Sequence, residues 1–242
     1  MNGKTILITG GTAGIGRALA ERLVSQGNQV IITGRDQSKI DETVLSLGCA
    51  GYMADSANPK QLQQLSTALQ KDNIQLDGLV LNAGVFYPEA FADISEEAFD
   101  RTMNINTKGP FITLQALLPT LKKPSSVVFV SSIAVTKAFP HGAVYSASKA
   151  AFEAIAQVAN LELAPQGIRI NSVRPGVTAT EIQGKAGMTS EQQNEFFETL
   201  NTTPLGRVMT PEDQIGAIEF LLSDQSVAMR NAVIEVDGGY LL

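Results

Sequence analysis

Short, nearly continuous apolar runs alternate with helix-like stretches from one end of this 242-residue chain to the other. "KTILIT" (4–9) opens the series. Its unbroken apolar character suits a parallel strand covered on both faces, not an antiparallel strand with one wet face. From Gly14 to about Gln26 the spacing turns helical, with Ile15, Leu19 and Leu23 on one face. "QVIIT" (29–33) is the next strand, then a helix over about 36–47, a weak strand near 50–54, a helix over about 58–72 and "GLVLN" (78–82). A long helix is expected over about 95–121, followed by "SVVFVS" (126–131). A helix ending near 164, the strand "IRINSV" (168–173), a polar irregular stretch over 177–210, a helix over about 211–223 and "NAVIEV" (231–236) complete the pattern.

Seven strands separated by helices predict an α/β fold: a doubly wound, Rossmann-type parallel sheet with helices on both faces. The length suits one domain, 1–242, with a substrate loop at about 181–203. Such sheets bind ligands beyond the carboxyl ends of their strands, which directs attention to the residues after Thr9, Thr33, Asn82, Ser131 and Val173. The net charge of −6, with Lys122-Lys123 as the largest basic group, argues against a nucleic-acid partner. One cysteine, Cys49, allows no internal disulfide and fits a reducing cytosol. The apolar run in "MNGKTILITGG" is too short for a signal peptide, and no stretch approaches the ~18 apolar residues of a membrane span. A cytoplasmic protein without membrane contact is expected.

The strand ends carry the chemistry. "TGGTAGIG" (9–16) places Gly10, Gly14 and Gly16 around the turn into the first helix. Glycine admits a pyrophosphate close to the backbone, and a helix N-terminus offers free N–H groups and positive potential. After the second strand, Gly34 stands where an acid would hold the ribose diol of NAD, and Arg35 follows, suited to a 2′-phosphate. NADP(H) is therefore favoured over NAD(H), although Asp36 is placed to neutralise Arg35. Asp55 suits either a bond to the adenine amine or an N-cap for the helix near 58. "LNAG" (81–84) brings Asn82 and Gly84 beside the same place, and "VYSASKAAF" (144–152) sets Tyr145 one helical turn ahead of Lys149. No His/Cys/Asp cluster suggests a metal.

The glycine turn, "LNAG", the Ser131-Ser132 pair, Tyr-x-x-x-Lys, "RPGVTAT" (174–180) and "VDGGYLL" (236–242) occur in this order over nearly the whole chain. This arrangement resembles the short-chain dehydrogenase/reductase family. The resemblance implies an oxidoreductase that moves a hydride between a nicotinamide cofactor and a secondary alcohol or ketone. It implies Tyr145 as general acid/base, Lys149 as its partner and ribose ligand, Ser132 on the substrate oxygen, and Asn106 in "NINTKGPF" (104–111) as the fourth catalytic residue. Ile15 in the glycine turn and Pro175, Val177 and Thr180 join the cofactor contacts by the same resemblance, which also implies a homotetramer built on the helix near 95–121, the Tyr145 helix and the last strand. One departure is visible: Leu81 replaces the family's first Asn of N-N-A-G, which is expected to soften hydrogen bonding at the centre of the sheet.

Bringing a phenol from a pKa of about 10 to about 7 requires roughly 4 kcal/mol. An ammonium about 4 Å away supplies roughly that at an effective dielectric near 20, so Lys149 is sufficient in magnitude. Pro110 has no N–H, which frees the carbonyl of Asn106 to hold a water next to Lys149. Ser131 competes with Ser132 and is expected to face the sheet. Ser146, Ala147 and Ser148 suit both close cofactor approach and plain helix packing. Phe86, Tyr87, Val135, Phe139 and the 181–203 loop are expected to line the pocket, Gly184 and Gly187 to let that loop close, and His141 to sit at the rim. A 3-oxoacyl reductase would need basic surface near its mouth, and Lys122, Lys123, Arg169 and Arg174 are scattered. A nucleotide sensor without turnover, or an interaction protein with a vestigial site, are the other classes; neither needs Ser132, Tyr145 and Lys149 together.

Overall fold

The computed structural model describes residues 2–242. Seven strands form one parallel sheet: β1 (Thr5–Thr9), β2 (Gln29–Gly34), β3 (Ala50–Met53), β4 (Leu76–Leu81), β5 (Leu121–Val130), β6 (Ile168–Pro175) and β7 (Val233–Val236). Their order is β3-β2-β1-β4-β5-β6-β7. Strand order therefore reverses between β1 and β4, and a crevice opens there at the carboxyl edge. The helices are α1 (Gly14–Ser25), α2 (Gln37–Leu47), α3 (Pro59–Lys71), α4 (Glu96–Met103), α5 (Gly109–Leu117), α6 (Ala143–Leu163), α7 (Ile182–Lys185), α8 (Ser190–Thr199) and α9 (Pro211–Leu222).

The two-residue period of each strand divides the core. Leu7, Leu79, Leu81, Val127 and Phe129 face one way and pack with Leu62, Leu65 and Leu69 of α3, Leu114 and Leu117 of α5, and Phe152 of α6. The alternate residues Ile6, Ile8, Val80, Val128 and Val130 face the other way, onto Leu19 and Leu23 of α1 and Ile215, Ile218 and Leu222 of α9. Burial on both faces is why these strands read as continuous apolar runs.

Three expectations are corrected. The helix over 95–121 is not continuous: residues Asn104–Lys108 form a π turn between α4 and α5, with the Gly109 N–H bonded to the Asn104 carbonyl. Widening the turn accommodates Pro110, which has no N–H to give. β5 begins at Leu121, earlier than 126, because Leu121 pairs with Leu76. The stretch 177–210 is not irregular but holds α7 and α8; α8 starts on a capping box in which Thr189 Oγ1 accepts the Gln192 N–H (3.3 Å) and Gln192 Oε1 accepts the Thr189 N–H (2.9 Å).

Leu81 does not loosen the sheet. It is 1% exposed, inside the core. Thr9 supplies the central polar contacts: its hydroxyl accepts the Asn82 N–H (2.9 Å) and the Ala83 N–H (3.0 Å) and donates to the Val80 carbonyl (3.3 Å). Thr9→Val keeps the shape and strands two amide donors beside a buried position. A loss of about 2–4 kcal/mol is expected, read as a lower urea midpoint at unchanged m-value. A change under about 0.5 kcal/mol, the range of an ordinary surface substitution, would show that the hydroxyl is dispensable.

Candidate active site

The glycine turn is shaped by what it touches. Gly10 has φ +65°, and a Cβ there would lie 3.0 Å from the Ala83 Cα. A Cβ on Gly16 would lie 2.5 Å from both Asn82 Nδ2 and the Gly10 carbonyl oxygen. Asn82 is the clamp: its Nδ2 donates to the carbonyls of Thr9 (2.9 Å) and Gly10 (3.1 Å). α1 then begins at Gly14 with Ala13 as a cap that offers no side-chain bond and with no acid in its first turn. Ile15 follows, half-buried. An uncapped helix start behind a glycine turn is suited to an anion.

At the end of β2, Arg35 is exposed, and Asp36 beside it turns its carboxylate to the Lys39 N–H (3.2 Å), capping α2. Asp55 does not cap α3; Asn58 does, accepting from the Lys60 and Gln61 N–H groups. Asp55 Oδ1 instead accepts the Ala57 N–H (2.9 Å) in a local turn.

Lys149, Tyr145, Ser132, Asn106 and Gly84 come together beyond β4 and β5. Lys149 is 4% exposed, and its Nζ donates to the Val130 carbonyl at 2.8 Å. A Cβ on Gly84 would sit 3.2 Å from that Nζ and 3.4 Å from Asn106 Oδ1, so a side chain here would crowd both groups. Asn106 is fully buried and ties three elements: Oδ1 accepts the Val85 N–H (2.9 Å), while Nδ2 donates to the Val85 carbonyl (2.9 Å) and to Ser148 Oγ (3.0 Å). Ser148 is thus an anchor for Asn106, more than a small packing residue. Ser132 Oγ accepts the Ala134 N–H (3.1 Å). Ser131 joins β6 through its N–H on the Val173 carbonyl (2.8 Å), and its buried hydroxyl has no protein partner.

The electrostatics depart from the expectation. Burial pushes the Tyr145 phenol above its usual 10, and the neighbouring Ser132 hydroxyl offsets only part of that. Lys149 does not pull it down. Its Nζ lies 5.9 Å from the Tyr145 ring centroid, is committed to Val130, and burial brings the ammonium itself from 10.5 to about 8. Desolvation disfavours the charged form of both groups.

After β6, Gly176 lies against β7 and its N–H donates to the Val236 carbonyl (2.9 Å). Pro175 is buried, Val177 and Thr180 are half-buried, and Thr180 Oγ1 accepts the Ile182 N–H (3.2 Å). Two residues missed from the sequence hold this loop. Gln183 donates to the Thr178 carbonyl (2.9 Å), and fully buried Gln214 donates to Thr178 Oγ1 (3.1 Å) and the Val236 carbonyl (3.1 Å). Gln214 was detectable as a polar residue on the apolar face of the last helix.

Thr180 also meets the glycine turn: a Cβ on Gly14 would lie 3.2 Å from Thr180 Cβ. Glu181, next to it, pairs with Lys185 (2.7 Å) and with Lys39 of α2 (3.6 Å), so the start of the 181–203 segment reaches α2. Gly184 lies inside α7 and is no hinge, whereas Gly187 has φ +90° in the turn that follows.

On the substrate side, Phe86 packs edge-on against Tyr145 with ring centroids 5.1 Å apart. Tyr87 is turned to Arg101, whose guanidinium carbon lies 4.0 Å from the ring centroid. A cavity of about 530 Å³ adjoins, lined by Phe91, Val135, Lys137, Phe139, His141 and Ser146. Tyr240, which the sequence did not single out, stacks on Phe139 at 6.0 Å. Lys137 donates to its carbonyl at 3.1 Å. His141 is exposed at the rim with φ +63°. Among the described residues no group of His, Cys, Asp and Glu could hold a metal ion.

Residues 10–241 match the family model described as Enoyl-(Acyl carrier protein) reductase. The chain is 33% identical over 245 residues to dehydrogenase/reductase SDR family member 4 of Homo sapiens, covering 98% of this chain and 87% of that protein. It is 33% identical over 248 residues to L-rhamnose 1-dehydrogenase (NAD(P)(+)) of Sphingomonas sp. (strain SKA58), covering 99% and 96%. In fold it is similar to the crystal structure of levodione reductase, with a TM-score of 0.91 at 23% identity over 99% of this chain and 98% of that one. The glycine turn, the clustered Ser132, Tyr145 and Lys149, and these likenesses agree: the chain belongs to the short-chain dehydrogenase/reductase family of oxidoreductases.

Proposed function

We propose that this protein is an NADP(H)-preferring oxidoreductase that interconverts a secondary alcohol and a ketone. The observation that carries the reading is the convergence of Ser132, Tyr145 and Lys149 at the carboxyl edge of the sheet, beside a glycine turn packed so closely that a Cβ at Gly16 would clash with Asn82 and Gly10. When bound, the cofactor supplies or accepts the hydride.

The residues present fit such a group. The turn of Gly10, Gly14, Ile15 and Gly16 with the uncapped start of α1 would hold the pyrophosphate. Arg35, with Asp36 turned away to Lys39, would hold a 2′-phosphate. Asp55 has a second carboxylate oxygen for the adenine amine. Asn82 and Gly84 would line the ribose side, and Pro175, Val177 and Thr180 the carboxamide side. A relative whose name specifies NAD(P)(+) supports the nicotinamide class.

Tyr145 is the proton donor in reduction. A phenol held above its ordinary pKa stays protonated through neutral pH, which suits giving a proton to a carbonyl oxygen as the hydride arrives. Ser132 accepts the Ala134 N–H and lies within hydrogen-bond reach of the Tyr145 hydroxyl, where it would turn its own proton to the substrate's carbonyl oxygen when that oxygen arrives. Lys149, held as an ammonium, would bind the ribose hydroxyls. Asn106 fixes the β4 loop against α6, and its backbone carbonyl, to which Pro110 has no N–H to give, would hold the water that refills the proton.

Three of the four basic residues weighed for the 3-oxoacyl-carrier reading are committed elsewhere, and the fourth, Lys123, is exposed beside Lys122 at the amino end of β5. Lys122 is paired with Asp77 (2.7 Å) at the amino end of β5, remote from the crevice. Arg169 is 6% exposed and caps α9, donating to the Ser223 carbonyl (2.7 Å). Arg174 is paired with Glu153 (2.7 Å). A small ketone or alcohol is the preferred substrate. Among the described residues no helix is long and apolar enough to cross a membrane, and a cytoplasmic location fits the unpaired Cys49. Exposed Phe99 and Phe111 on α4 and α5 and Val158 and Leu161 on α6, with β7 at the sheet edge, support the homotetramer; sedimentation as a monomer would refute it.

Tyr145→Phe is expected to lower kcat for ketone reduction by about 10³-fold or more while NADPH binding changes by less than about threefold. Retained turnover would refute the proton-donor role. Arg35→Ala is expected to weaken NADPH by about 10–100-fold, the worth of one or two charge-assisted bonds, and to leave NADH within about threefold. Equal losses for both would refute the phosphate assignment.

A further inference from the structure

Lys149 is an ammonium in a nearly water-free place, and among the described residues no carboxylate reaches ion-pair distance of it. From β5 it receives the uncharged Val130 carbonyl at 2.8 Å and the face of Phe129, with Nζ 5.0 Å from the ring centroid. The π turn and the β4 loop add uncharged Asn106 and Gly84. The ionisable neighbours on its own helix are Tyr145, one turn before, and Glu153, one turn after. Residues four apart on a helix share a face with Cβ atoms about 5–6 Å apart.

Glu153 does not swing freely. Arg174 of β6 grips it with two bonds, Nε to Oε1 at 2.9 Å and Nη2 to Oε2 at 2.7 Å, and the two side chains are only 15% and 14% exposed. Arg174 Nη1 reaches Glu235 of β7 at 3.0 Å, and Glu235 accepts from Thr136 of the β5–α6 loop at 3.4 Å. A fork-to-fork pair of this kind fixes orientation as well as charge.

We propose that Glu153 is a positioning residue for Lys149: clamped by Arg174 one turn further along α6, its carboxylate supplies the negative field that stabilises the Lys149 ammonium, and Arg174 limits that field. The inference rests on the reading that Lys149 acts as an ammonium in the reaction. At an effective dielectric near 20, an opposite charge one helical turn away is enough to move the titration of a buried lysine by about one pH unit. In keeping with this, burial lowers Lys149 to about 8 and Glu153 is the group that opposes the fall, while the bonds from Glu153 hold Arg174 above its ordinary range.

The test reads the titration of Lys149 without turnover. With a native pKa of about 8 against 10.5 for the free side chain, the unfolded chain keeps a proton that the native state loses between these values. Stability from this group therefore rises with pH across that window. The difference between parent and Lys149→Met, followed by urea unfolding of the cofactor-free protein from pH 6.5 to 10, isolates it. In a Glu153→Gln background the onset is expected to fall by about one pH unit. In an Arg174→Met background it is expected to rise, and the pH profile of kcat/KM to move the same way in each variant. Onsets that stay put, or that move in one direction for both variants, would overturn the proposal. A parent protein that binds neither NADPH nor NADH would overturn the functional reading instead, and the two failures are distinct.

Discussion

The Lys149 ammonium, buried beneath the carbonyl of Val130, is the contact on which the site depends. An ammonium removed from water is costly unless polar groups replace its hydration. One bond from the end of β5 is a partial replacement, and the side chain answers by titrating near 8. The bond also pins α6 to the sheet edge, which sets where Tyr145 stands. Gly84 keeps the β4 loop close enough to enclose the ammonium, and Asn106 holds that loop to α6. The crevice is thus braced from β4, β5, the π turn and α6 before any ligand arrives.

The glycine turn is braced independently. Thr9 and Asn82 spend their polar atoms on it, so its shape is set by the sheet and not by a ligand. Pre-formed backbone geometry leaves less ordering to be done on binding. The opposite wall is less fixed. Glu181 bridges Lys39 and Lys185 through half-exposed ion pairs, which carry little energy each and weaken with salt.

The sheet and its crevice were legible because burial on both faces writes strands as apolar runs, and Gly10, Gly14 and Gly16 mark a turn that side chains would fill. The break at Asn104–Lys108 was not legible, since Pro110 signals a disturbed helix but not whether the chain kinks or widens. α7 and α8 escaped because their surfaces are mostly polar; only the capping residues Thr189 and Gln192 marked a start. Tyr145 and Lys149 drew attention by their four-residue spacing and took their roles from the family resemblance, and the close electrostatic partnership expected of them is looser in the structure. Side-chain direction was the missing quantity: Lys149 points to Val130, and burial acts on the phenol more strongly than the ammonium does. Glu153 and Gln214 escaped for a related reason, as each matters through partners far away in sequence, Arg174 and Val236.

The central claim is that the fold alone leaves Tyr145 a protonated phenol, and the proposed function expects the positive nicotinamide of NADP⁺ to lower its pKa. Phenolate absorbance near 295 nm, taken as the difference between the protein and its Tyr145→Phe variant, follows this residue alone. The account predicts a midpoint above 10 without cofactor and a lower one with saturating NADP⁺. A midpoint well below 10 in the free protein, or one that NADP⁺ leaves in place, would contradict it.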